Sequence, residues 1–120
     1  MDVKRLLPLT VLFVALHAAP AQAHTTAQVK LIIRQEVARA GWGRADADAA
    51  VRLACRESTW RDWVHSRSEC HGVFQLSRAM AHGHPWSDPR WNSRRAMAYI
   101  RGRYGTPRRA LQHSLAHNWY

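Results

Sequence analysis

The chain has 120 residues, with 18 Lys and Arg against 8 Asp and Glu, giving a net charge of +10. That length holds one domain, and no apolar run reaches the roughly 20 residues that a spanning helix needs. The positive charge is scattered Arg rather than a cluster on one helix face. This argues against nucleic-acid recognition; attraction to other polyanions, such as anionic wall polymers or lipid head groups, and a plain Arg bias in codon usage both account for the charge.

The chain opens like an export leader. Lys4 and Arg5 precede an apolar stretch from Leu6 to Leu16, broken only by Pro8 and Thr10. Ala21-Gln22-Ala23 then has the small-x-small form of a cleavage site. Removing residues 1–23 leaves a mature domain of 97 residues, 24–120; losing Asp2, Lys4 and Arg5 takes the charge from +10 to +9. The expected product is a monomer that is secreted, periplasmic or wall-associated, with no stable membrane insertion. It carries two cysteines, Cys55 and Cys70. In an oxidising compartment the default reading is one disulfide, stabilising by about 3 kcal/mol in the chain-entropy picture; two reduced thiols are the alternative.

The periodicity is helical throughout the mature part. Thr25 or Thr26 caps a first predicted helix, with Val29, Ile32, Ile33, Val37 and Ala40 at three- and four-residue steps and Gly41 just past its end. A second begins near Asp46 as N-cap and carries Ala49, Ala50, Leu53, Ala54 and Glu57. Trp60 to Cys70 reads as loop. Val73 to Leu76 is the only candidate for a strand, and Ser77 to His82 has room for one or two helical turns. His84-Pro85 and Asp88-Pro89 are expected to break any helix. Asn92 or Ser93 then caps a helix with Ala96, Met97, Ile100 and Tyr104, closed by Gly105. Thr106-Pro107 starts the last helix, with Leu111, Leu115 and His117 facing inward. The fold class is mainly α.

Glu57 fits this scheme badly. It falls four residues after Leu53 and three after Ala54, so it extends the apolar stripe of its helix. It also stands at the helix C-terminus, where the macrodipole disfavours a carboxylate. Desolvation and dipole both raise its pKa, as a general acid requires. The plainer alternative is an ion pair with Arg56 or Arg61, or a solvated side chain at a fraying end. Cys70, His71, His82 and His84 form a weak zinc pattern, because the first two are adjacent and exported cysteines tend to pair; no metal and no cofactor are expected. Of Trp60, Trp63, Trp86 and Trp91, one or two are expected on a substrate and the rest in packing. His65, His82, His113 and His117 read as surface or capping groups.

Four blocks resemble a known family. Glu57-Ser58-x-Trp60, Gly72-Val73-Phe74-Gln75, Ala98-Tyr99-Ile100-x-x-Arg103-Tyr104-Gly105-Thr106-Pro107 and the ending Trp119-Tyr120 occur in an order similar to the transglycosylase-like branch of the lysozyme-like superfamily. That branch includes small exported lytic transglycosylases and relatives of goose-type lysozymes, and the likeness spans roughly residues 28 to 120. It implies one compact lysozyme-like helical domain with a short irregular or β-like loop at a cleft. It implies peptidoglycan glycan strands as substrate, cut at the MurNAc-GlcNAc β-1,4 bond. Glu57 matches the catalytic acid/base and Ser58 a partner that orients the substrate. Gly72 and Gln75 match the loop lining the cleft, Tyr99 an aromatic hydroxyl near the acid, and Trp60 a further substrate contact. Trp119 and Tyr120 match an aromatic ending, read as packing first. The loop before Gly72 departs from the family by carrying Ser68-Glu69-Cys70-His71, and a Cys55–Cys70 bond would pin it to the catalytic helix.

Counting acids bears on the reaction. An inverting hydrolase needs a second carboxylate about 6.5–9.5 Å from the first. Asp62, Glu69 and Asp88 are the candidates, and none stands at a family-matched position. With one convincing acid, the count favours a lytic transglycosylase, and a muramidase-type hydrolase is the alternative that the resemblance leaves open. A catalytically inactive wall-binding module is the third reading, and a cationic membrane-active protein the fourth.

Overall fold

The computed structural model describes residues 23–66 and 69–120, so the leader assignment and residues 67–68 lie outside the described residues. Five helices follow in order: α1 (Thr26–Arg39), α2 (Arg44–Ser58), α3 (Arg78–Ala81), α4 (Pro89–Arg103) and α5 (Pro107–His117). Among the described residues there is no strand, only single bridges pairing His65 with His71 and His71 with Leu76. None of these helices is long and apolar enough to cross a membrane. The class is mainly α, as the periodicity predicts.

The helix ends show where local chemistry was legible. Thr25 takes the cap of α1 in a reciprocal pair with Gln28, and Gly41 follows at φ +94°. Thr106 and Pro107 open α5 as expected. Two other starts differ from the sequence reading. α2 begins at Arg44 after Gly43, while Asp46 is buried in the first turn and accepts from the backbone N and Nε of Arg108 at 3.2 and 3.1 Å. α4 begins at Pro89, not at Asn92 or Ser93. The Asp88-Pro89 pair expected to break a helix instead starts one, because proline at the first position lacks only an N–H that would have no helical partner. Asp88 is held extended by that proline and caps Arg90 N at 2.9 Å.

α2 packs on α5 and α1, and α1 packs on α4. The core holds Val29, Ile33 and Val37 of α1, Ala50, Leu53 and Ala54 of α2, Ala96, Met97 and Ile100 of α4, and Ala110 and Leu111 of α5, around Val73, Phe74 and Leu76. Leu115 and His117, expected inside, are exposed. α5 packs on α2 and, more lightly, on α4, and its buried residues are Pro107, Ala110, Leu111 and Ser114.

Glu36 is the buried charge joining α1 to α4. Arg94 reaches its carboxylate at 2.8 and 3.1 Å and Arg90 at 3.0 Å. The hydrogen-bonded Arg94, then Arg90, hold its carboxyl below the ordinary value of 4.5 against the opposing effect of burial. The charge on Glu36 therefore adds stability above pH 4.5, and that contribution fades as falling pH returns the proton. Both guanidinium groups are nearly half exposed, so Glu36→Gln is expected to cost a modest amount, about 1–2 kcal/mol at neutral pH. Urea melts at pH 7 and below pH 4.5 should show the gap between variant and wild type closing in acid.

Cys55 and Cys70 are both free thiols, so the expected disulfide is not seen among the described residues. Unfolding the protein in an alkylating reagent without reductant is expected to label both thiols; a disulfide-bonded protein would take no label.

Candidate functional site

The site is built around the turn of residues 71–76. His71 N donates to Leu76 O at 2.8 Å and Leu76 N to His71 O at 2.9 Å, closing a four-residue loop. Within it Gln75 N donates to Gly72 O at 3.1 Å, and Gly72 and Gln75 adopt φ of +76° and +50°. Glycine at 72 is dictated by packing. A Cβ there would stand 2.3 Å from Asn92 Nδ2 and 2.6 Å from Trp86 O. Gln75 holds a left-handed conformation that costs a non-glycine residue energy, on the order of 1 kcal/mol.

Three elements fix this turn. From α2, the buried Ser58 hydroxyl donates to Val73 O at 2.7 Å. From α4, the fully buried Asn92 accepts from Phe74 N at 2.9 Å and donates to His71 O and Trp86 O, each at 3.0 Å. From the end of the chain, Tyr120 donates its hydroxyl proton to Phe74 O at 2.5 Å. Gln75 adds its own side chain, whose Nε2 donates to Gly72 O at 2.9 Å and Val64 O at 3.2 Å. A strained turn held by this many bonds presents its residues in one arrangement.

Glu57 stands half-buried in the last turn of α2. Burial pushes its carboxyl up to about 7, against a smaller lowering by the Arg56 charge. Neither arginine proposed as an ion-pair partner takes it up. Arg56 donates to the Ser114 hydroxyl at 3.0 Å and to Ser114 O at 3.1 Å, and Arg61 donates to Ser58 O at 2.9 Å. The neighbour on the Glu57 side is Tyr120. Its hydroxyl is pushed well above the ordinary phenol value, first by burial and next by the charge of Glu57. Tyr99 and Tyr104 complete an aromatic wall, with ring centroids 5.8 and 6.4 Å from that of Tyr120. Burial also raises the Tyr99 hydroxyl. The result is a carboxylic acid able to keep its proton near neutral pH beside aromatic faces.

The remaining sequence candidates fall in different places. Ser58 and Gly72 sit behind this surface: Ser58 ties α2 to the turn, and Gly72 makes room for Asn92. Trp60 is engaged on both sides, donating Nε1–H to Val51 O at 2.9 Å with Lys30 Nζ 4.0 Å over its ring. Its place is that of a staple between α2 and α1. Gln75, Tyr99 and Glu57 remain half-exposed. The three spare carboxylates are each engaged elsewhere. Asp62 is buried against His24, Glu69 pairs with Arg78 at 3.2 Å, and Asp88 caps α4.

Two features escaped sequence reasoning. Asn92 reads as a cap from sequence, and nothing local marks it as the residue that carries the turn. The second is a concavity of about 300 Å³ lined by His65, His71, Arg78, His82, His84 and Trp86. The His71 and Trp86 rings lie 4.9 Å apart there, and His71 Nδ1 is buried with no partner. Aromatic faces beside polar ring nitrogens suit a sugar. Among the described residues, no group of three or more His, Cys, Asp or Glu is placed to hold a metal ion, so the Cys70, His71, His82, His84 pattern does not assemble.

No protein-family model, curated protein or solved structure matches this chain.

Proposed function

We propose that the chain is an exported, lysozyme-like enzyme that cleaves peptidoglycan glycan strands at the MurNAc-GlcNAc β-1,4 bond as a lytic transglycosylase. The observation that carries this reading is Glu57, with its pKa pushed up to about 7 and no ion pair among the described residues. In the proposed reaction Glu57 protonates the bridging oxygen as the glycosidic bond breaks. The muramyl 6-hydroxyl of the same sugar then attacks the anomeric carbon and returns its proton to Glu57, leaving a 1,6-anhydro end. Gln75 and Tyr99 are the half-exposed residues suited to hold the sugars, and the wall polymer is the expected partner for the positive surface.

The occupied state of Asp62, Glu69 and Asp88 supports the single-acid route over a muramidase-type hydrolase, which needs a second carboxylate to activate water. Mass spectrometry of purified glycan strands after digestion is expected to find sugar ends lighter by one water. Products that all carry that water would turn the assignment to hydrolysis.

A further inference from the structure

Asp62 is a buried carboxylate at the start of the domain that the reaction does not use. Its side chain is 3% exposed, and its only polar partner among the described residues is His24. Oδ2 accepts from His24 N at 3.1 Å and faces His24 Nδ1 at 2.7 Å, while Oδ1 is buried with no hydrogen bond at all. A buried charge with half its acceptors empty is costly unless a full positive charge meets it. The turn after α2 is forced into this position by two consecutive left-handed residues, Thr59 (φ 54°) and Trp60 (φ 57°). Such a conformation persists only where the surroundings hold it.

His24 is also the residue that the leader motif Ala21-Gln22-Ala23 would leave as the first of the mature chain. We infer that Asp62 is a receptor for the α-ammonium group of His24, and that hydrolysis of the Ala23–His24 peptide bond completes the fold. Water enters that bond under an export peptidase. The carboxylate departs with the leader, and the freed amine of His24 takes up a proton. One amide N–H on Oδ2 becomes an ammonium with three, enough to serve Oδ1 as well. The new charge stands immediately before Thr25, the cap of α1, where the positive end of the helix disfavours a cation and the first turn holds no acidic residue. Asp62 supplies the compensating anion.

The test uses the full chain, exported with its own leader. Mass spectrometry of the recovered protein should find His24 as the first residue. A variant with Gly-Ser inserted between Ala23 and His24 keeps the cleavage motif but moves the amine two residues away. Its Tm is expected to fall by about 4–8 °C, a typical shift for a domain this size losing one such interaction. Asp62→Asn should lower the Tm of the natural chain by a similar amount and that of the inserted chain by much less, because the two changes remove the same pair. A different first residue, an unchanged Tm on insertion, or fully additive losses would each overturn the inference.

Discussion

Replacing Glu57 with Gln is expected to abolish glycan cleavage and to stabilise the protein in alkaline solution. Glutamine keeps the shape and cannot donate a proton, so turnover should drop by about 10²–10⁴-fold, the range for losing a general acid. Affinity for glycan should remain, which separates an enzyme from a wall-binding module; a module would behave alike in both forms. The stability effect follows from proton linkage. An unfolded Glu57 ionises near 4.5, but the folded one holds its proton to about 7. Below pH 4.5 both states are protonated and burial costs nothing. As the pH rises from 4.5 to 7 the folded state comes to carry a half-buried carboxylate, so stability is lost over that window. The gap corresponds to at most about 3 kcal/mol, less what solvent returns to a half-exposed group. Urea melts should therefore show the variant equal to wild type at pH 4 and more stable at pH 8. Activity of the wild type should decline above pH 7 as Glu57 loses its proton. Full activity of the variant would end the case for this residue.

Asn92→Ala is expected to be the most damaging single change to the fold. Its side chain makes three hydrogen bonds at complete burial, and deleting it strips Phe74 N–H and Trp86 O of their partner while His71 O keeps only the bond from Leu76 N. Unmade buried hydrogen bonds cost about 1–3 kcal/mol each, so the sum approaches 3–5 kcal/mol in a domain whose total stability is on the order of 5–15 kcal/mol. A Tm lower by about 15 °C or more is the expected reading. Asn92→Asp should do no better, because it keeps the acceptor but sets a negative charge against two carbonyl oxygens. A loss of only a few degrees in either variant would mean that Ser58 and Tyr120 hold the turn without α4.

These two residues divide the molecule between what local sequence encodes and what it does not. Val29, Ile33, Leu53 and Ile100 recur at helical steps, and Thr25, Gly41, Thr106 and Pro107 mark ends by their own backbone chemistry. The apolar register of α2 likewise puts Glu57 on its inner face. All of that is set within one or two turns of chain, where the relevant neighbours are three or four residues away. The mainly α class and the awkward placement of one acid were therefore readable from sequence.

What only the tertiary structure decided concerns bonds between distant residues. Phe74 finds Asn92 across 18 positions and Tyr120 across 46; Asp62 meets His24 across 38. A polar residue's role depends on which carbonyl or amide the fold places beside it. No periodicity in its own segment records that, so nothing local marks Ser58 as the tie to Val73 O, Gly72 as the space for Asn92, or Asn92 as more than a cap.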